Sequence, residues 1–213
     1  QKWTNDMHLA IGNKLYSSWS LRAWLLLKVF DIPFQETVIA MYKDDTKQRM
    51  LAFAPTGKVP ALRDGDIVVW ESLAIMEHVA DRFPEKAIWP KDQAARSHAR
   101  AAASEMHAGF MGLRSSCPMN LTKRFVKKDR GDQVAADVAR LEGLWREARE
   151  RFGGGGEFLY GDFCAVDAMF APVVTRLHTY QIDVTPLMQG YMEAVLNHPA
   201  FIDWKASAIE EPW

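Results

Sequence analysis

The first eighty residues switch repeatedly between runs of strand length and stretches of helical length. His8-Leu9-Ala10-Ile11-Gly12 is a short apolar run that reads as a buried strand. After the loop Asn13-Lys14-Leu15-Tyr16, the residues Ser17-Ser18-Trp19-Ser20 lead into Leu21 to Phe30, apolar almost all round and therefore predicted as a buried helix. Asp31-Ile32-Pro33 stops it. Phe34 to Ile39 is a second strand, parallel to the first because a helix crosses between them. Lys43 to Leu51 reads as a short polar helix or turn. Ala61-Leu62 and Ile67 to Trp70 form a hairpin around Arg63-Asp64-Gly65-Asp66, its Asp-Gly pair suiting a tight turn. A helix from Leu73 to Phe83 completes a βαβ–ββα order, the topology of a thioredoxin-like domain.

Beyond Phe83 the period changes. Two prolines, Pro84 and Pro90, bracket a short segment anchored by Trp89, and from Asp92 onward the pattern is helical with no strand. Gln93 to about Leu113 reads as one helix, with Ala95, Ala99, Ala102, Ala103, Met106 and Phe110 on one face. Lys127 to Phe152 is a second, striped by Val134, Val138, Leu141, Leu144 and Trp145. Gly153 to Gly156 reads as a flexible turn without the strand-before, helix-after context of a phosphate loop. Ala165 to Leu177 is the most apolar helix, with Pro172 expected to kink it. Pro186 and Pro199 open the last two. The expected fold class is α+β: a thioredoxin-like domain over 7–84, a linker over 85–92 and an all-α helical bundle over 93–213.

Composition narrows the function classes. The chain has 213 residues, 48% of them hydrophobic and 25% charged, in the range of globular proteins. Its formal net charge of −1 gives no global field for a polyanion, so no nucleic acid is expected as partner. The basic pairs Lys123-Arg124 and Lys127-Lys128 read as a solvated face. No apolar run reaches membrane-spanning length, and no membrane partner is expected. Cys117 and Cys164, far apart, read as reduced packing residues, which favours a cytoplasmic location. Gln1 to Asp6 precede Met7 and are set aside as an extension.

The stretch richest in candidate chemistry is Gly57 to Ser72. Val59 precedes a proline and is pushed to extended geometry. Pro60 stands at the entry of a strand, where its missing N–H costs no ladder bond. Glu71-Ser72 opens a helix whose N-terminal amides and dipole favour an anion. An extended backbone beside such a helix end suits a small peptide bearing a carboxylate. Ser17 to Ser20 have a plain explanation as helix caps, yet in this topology their loop faces the same end of the sheet as Pro60.

Lys58-Val59-Pro60-Ala61-Leu62 with Glu71-Ser72 resembles the glutathione-binding half of cytosolic glutathione transferases, in which a cis-proline precedes the third strand and a Glu/Gln-Ser pair follows the fourth. Ser17-Ser18-Trp19-Ser20-Leu21-Arg22 is similar to the Ser-Ser-Cys-Ser-Trp-Arg segment of the zeta class, with Trp19 in the cysteine's place. Cys164 to Asp167 resembles the family's buried sixth-helix capping motif, with Cys164 where Ser or Thr stands, and it makes Asp167 structural. The resemblance implies a glutathione S-transferase with glutathione as co-substrate and no metal. Ser17 is the implied catalytic hydroxyl in the zeta register and Ser18 in the theta register, Ser17 being preferred. Lys58, Val59, Pro60, Glu71 and Ser72 would bind glutathione, and Trp70 is read as core. Leu15, Tyr16, His107, Phe110, Met111 and Arg176, with His178 and Tyr180 nearby, would meet the second substrate. A zeta-like cis–trans isomerase of a maleyl keto-acid and a non-catalytic scaffold of the same fold are the alternatives. A homodimer is implied by resemblance alone.

Overall fold

The computed structural model describes residues 7–212; Gln1 to Asp6 lie outside them. Four strands form one mixed sheet, β1 (Met7–Ile11), β2 (Gln35–Val38), β3 (Ala61–Asp64) and β4 (Ile67–Trp70), in the order β2-β1-β3-β4. β1 pairs parallel with β2 and antiparallel with β3, and β3 pairs antiparallel with β4. The hairpin loop is shorter than expected, since Arg63 and Asp64 both pair in the ladder. Asp64 pairs with Ile67, so the strands run up to a two-residue loop, Gly65-Asp66, with Gly65 at φ +59. The residue able to take a left-handed backbone thus sits first in the loop, and Asp64 belongs to the ladder.

Three helices accompany the sheet: α1 (Ser18–Val29), α2 (Thr46–Leu51) and α3 (Ser72–Arg82). As its composition predicts, α1 is buried from Ser18 through Leu27 except at half-buried Trp19. It packs on α3 on the sheet side, on α7 (Ala165–Thr179) of the helical half, and on the C-terminal helix α9 (Pro199–Ile209). It ends in a Schellman arrangement without glycine. Asp31 takes φ 51, its N–H donates to Lys28 O at 3.2 Å, and the N–H of Ile32 donates to Leu27 O at 3.0 Å. Asp is one of the few residues besides Gly that enters that region at modest cost.

The remaining helices are α4 (Gln93–Ala108), α5 (Met111–Ser116), α6 (Asp132–Phe152), α7, α8 (Pro186–Leu196) and α9. The single helix expected over Gln93 to Leu113 is two. Gly109 is extended and Phe110 left-handed at φ 58, and the chain restarts as α5, whose Leu113 N–H donates to Asp137 on α6 at 2.9 Å. A side chain from another helix meets an amide the local sequence leaves free. Likewise α6 begins five residues later than its polarity suggests, because Gly131 at φ 98 turns the chain only there. The glycine turn that follows α6 is pinned: Arg149 Nη1 donates to the carbonyls of Gly156 and Phe158, each at 2.6 Å.

The helical core centres on Trp145, fully buried and edge-on to Phe170 at 5.6 Å and Tyr191 at 4.8 Å. Both cysteines are buried free thiols. At the start of α7, Asp167 Oδ2 accepts the Cys164 N–H at 2.9 Å, closing a capping box, and Oδ1 accepts the Tyr191 hydroxyl at 2.7 Å. Burial pushes this carboxyl up to about 7. Among the described residues no helix is long and apolar enough to cross a membrane.

Tyr191→Phe removes a donor from a fully buried carboxyl group and is expected to lower unfolding free energy by about 1–3 kcal/mol. Urea denaturation checks this, and an unchanged midpoint would refute the assigned role.

Candidate functional site

A cleft of about 420 Å³ opens where β3, β4 and α3 meet the start of α1, walled by Trp19, Thr56, Lys58, Val59, Pro60, Trp70, Glu71 and Ser72. Wider depressions of about 780, 740 and 630 Å³ lie on the helical half. The smaller cleft is the one in which an extended backbone, a helix N-terminus and an orphaned polar group converge. The Val59–Pro60 bond is cis, and Pro60 ends buried immediately before β3.

Ser72 is the first residue of α3, and its hydroxyl oxygen is fully buried with no hydrogen-bond partner in the described structure. A buried hydroxyl left so costs free energy until a partner arrives. At the N-terminus of an eleven-residue helix, the partner favoured by dipole and free amides is an anionic oxygen. Glu71 precedes it at φ 69, a strained conformation for a residue with a Cβ. Its carboxylate is exposed, 3.6 Å from His107 Nε2. Lys58 is exposed at the rim. Trp70, expected in the core, is 39% exposed and forms part of the wall, because β4 is an edge strand with its last residue outside the packed face.

Ser17 is the N-cap of α1 and Ser18 its first residue. The Ser17 hydroxyl lies 2.7 Å from Ser20 Oγ and accepts the Ser20 N–H at 3.4 Å, while Ser20 Oγ accepts the Gly12 N–H at 3.0 Å. Two hydroxyls at this distance share one proton, and either rotor can be the donor. With Ser20 donating, the Ser17 proton is free for another acceptor, though the residue is only 5% exposed. Ser18 is 8% exposed. Neither serine is part of the cleft wall itself; Trp19, next along the chain, is.

Behind Trp19 the interior is positive. The guanidinium of Arg22 lies 4.2 Å and that of Arg114 4.7 Å from the Trp19 ring centroid. Arg22 is 1% exposed, and its Nε and Nη1 have no partner in the described structure. Burial, then the charges of Arg114 and Arg176, push it down to about 9, which still leaves it charged at neutral pH. Arg176 is also buried; its Nη1 donates to Cys117 O at 2.8 Å and Arg114 O at 3.3 Å, and its Nε is unpartnered. Burial comes first in lowering His107, followed by Arg22 and Arg114, against the opposing charge of Glu71. His107 stands edge-on to Trp19 at 5.2 Å.

Of the remaining sequence-predicted pocket residues, Leu15 is half-buried, Tyr16 is 43% and Met111 56% exposed, and Phe110 is buried at the left-handed break. His178 lies on another depression with Lys123, Arg124 and Lys205, and the Tyr180 hydroxyl donates to Pro118 O at 2.8 Å. Sequence reasoning missed Ser20, Arg22 and Arg114. Ser20 and Arg22 stand inside the quoted motif, while Arg114 gives no signal, since the α4–α5 break that brings it over Trp19 is not visible in the periodicity. Among the described residues no group of three or more His, Cys, Asp or Glu is arranged to hold a metal.

Residues 16–82 match the family model for the N-terminal domain of glutathione S-transferase. Over longer spans the chain is 26% identical to a probable maleylacetoacetate isomerase of Caenorhabditis elegans, covering 87% of this chain and 86% of that one. It is 25% identical to glutathione S-transferase 1 of Dianthus caryophyllus, covering 93% and 90%. A solved glutathione transferase homolog from Burkholderia gl BGR1, with bound glutathione, superposes with a TM-score of 0.72 at 20% identity over 96% of this chain and 98% of that one.

Arg22→Met keeps the length of the side chain while removing a buried charge two of whose nitrogens have no hydrogen-bond partner. It is expected to raise unfolding free energy by about 1–3 kcal/mol. Chemical denaturation reads the change, and a loss of stability would mean that the guanidinium is held by the fold itself.

Proposed function

Because this chain belongs to the glutathione transferase family, we propose that it binds glutathione along the cis-proline cleft and activates its thiol as a thiolate for attack on an electrophilic substrate. The observation that carries this reading is the orphaned Ser72 hydroxyl at the mouth of α3, in one cleft with Val59 and Pro60. In this scheme Ser72 and the first amides of α3 take the γ-glutamyl carboxylate, and Glu71 meets the ammonium. Val59 pairs with the cysteinyl unit through its backbone, and Lys58 meets the glycyl carboxylate.

The chemistry asks little of the protein. A thiol of pKa about 8.5 is only ~3% thiolate at pH 7. Lowering that pKa by about two units raises the thiolate roughly 25-fold, which corresponds to about 2.7 kcal/mol of differential stabilisation. A hydroxyl donating to sulfur at the N-terminus of α1 supplies this in kind, through a charge-assisted hydrogen bond and the helix dipole. Ser17 is the preferred donor, its proton released when Ser20 donates to it; Ser18 is the alternative. The pair of chains expected for this family, a homodimer, and a cytoplasmic location belong to the same proposal.

A second reading, a glutathione-dependent cis–trans isomerase of a maleyl keto-acid, is favoured by one observation: the unpartnered guanidinium nitrogens of Arg22, close behind Trp19, suit an anionic substrate. Trp19 in place of the zeta cysteine weighs against it. A scaffold without chemistry has no use for a buried serine hydroxyl kept open to a ligand.

Assays of chlorodinitrobenzene conjugation and of maleylpyruvate isomerisation, with calorimetry of glutathione binding, separate the three; no binding and no turnover would leave the scaffold. Ser17→Ala is expected to lower turnover by about tenfold or more with little change in glutathione affinity. The same loss in Ser18→Ala alone would select the other register. Ser72→Ala, by contrast, is expected to weaken glutathione about tenfold in calorimetry, and unchanged affinity would remove it from the site.

A further inference from the structure

The loop joining β1 to α1 carries the hydroxyl on which the proposed chemistry depends, and it is held by residues from the far end of the chain. Glu211, just past α9, accepts the Leu15 N–H on Oε1 at 3.0 Å and the Asn13 side-chain amide on Oε2 at 3.2 Å. Asn13 in turn organises the loop. Its backbone carbonyl accepts the N–H groups of Tyr16 and Ser17 at 3.3 and 2.8 Å, and its Oδ1 accepts the Met41 N–H at 2.7 Å. One residue between them, Lys14, has its carbonyl bonded by the Trp204 indole N–H at 3.0 Å, and its ammonium pairs with Glu36 at 3.0 Å. The loop is therefore held at the Asn13 side chain and at the Lys14 and Leu15 backbone by groups outside it, two of them from the C-terminal segment.

We infer that Glu211 is a positioning residue for the site: its carboxylate holds the loop in the arrangement that puts Ser17 at the N-cap of α1, with its hydroxyl 2.7 Å from Ser20 Oγ. The bonds that Asn13 and Leu15 donate to Glu211 are charge-assisted, so they are stronger than neutral ones. They also bracket Lys14, fixing both ends of a three-residue span. Without them Asn13 keeps its bond to Met41, but the Leu15 amide is released and the turn that presents Ser17 loosens. A shift of such a group by a fraction of an ångström weakens catalysis without altering where the peptide part of a ligand binds. This inference rests on the thiolate reading for its catalytic consequence, but the clamp itself is testable without it.

The experiment uses the whole chain as wild type, Glu211→Ala and Glu211→Gln. Backbone hydrogen exchange reads the clamp directly: the Leu15 amide is expected to exchange about tenfold faster in Glu211→Ala, with the amides of α3 unchanged. Catalysis is read as the ultraviolet absorbance of bound thiolate against pH, together with kcat and the glutathione dissociation constant. Glu211→Ala is expected to raise the pH at which bound thiol ionises and to lower kcat about tenfold, with glutathione affinity within about twofold. Glu211→Gln keeps an acceptor for Leu15 but turns a donor toward Asn13, so it is expected to fall between the two, and it carries the test should the alanine variant fail to fold. Unchanged Leu15 exchange, or faster exchange with an unchanged thiol titration and kcat, overturns the inference. Wild type that binds no glutathione sinks the thiolate reading and the catalytic role given to Glu211, while Leu15 exchange still decides whether the clamp exists.

Discussion

The whole arrangement depends on the burial of α1 from every side. The sheet side, α7 and α9 all close on it, and a helix buried almost all round as far as Leu27 has one register and one axial position. That fixes where its N-terminus emerges and therefore where the serines stand. The same burial explains why its N-terminus is capped by polar side chains with defined geometry, Ser17 and Ser20. A buried helix end has no water to satisfy its free amides.

Around that helix the molecule concentrates unfavourable terms in one place. Glu71 is strained, the Ser72 hydroxyl is unpaired, and Arg22 sits buried with two unpaired nitrogens close to a second guanidinium. None of these helps the fold, and each is offset by apolar packing elsewhere, notably the Trp145 cluster and the joint between α1 and α7. Clustering of such defects is the usual mark of a site shaped for something other than stability. The groups left unsatisfied, the Ser72 hydroxyl at the start of α3 and the Arg22 guanidinium on α1, are both donors, so the expected occupant is one rich in acceptor oxygens.

Much of this was legible in the residues. Short apolar runs separated by one all-round apolar stretch gave the strand–helix–strand opening. Gly57 to Ser72 announced an extended backbone beside a helix mouth, and Pro186 and Pro199 marked the last helices where they stand. What could not be read was decided by contacts between segments distant in sequence. Phe110 takes a left-handed conformation that nothing local requires, α5 draws an amide partner from Asp137, and Trp70 lies open because its strand is at an edge, a matter of sheet order. The positive interior was hidden for the same reason, as Arg22 and Arg114 are neighbours only once α4 has broken. Glu211, near the end of an unremarkable helix, gave no pattern to read at all.

Trp19 gives the site a property of its own. Among the described residues it is the one tryptophan whose ring lies within 5 Å of two guanidinium groups, at 4.2 and 4.7 Å, while also forming part of the cleft wall. The excited state of an indole is sensitive to nearby charge, so the colour and brightness of its fluorescence follow the electric field that those cations set up. A molecule that neutralises either one, or slides between ring and cation, changes the emission with no label attached. Trp19 is thus a built-in voltmeter for the pocket.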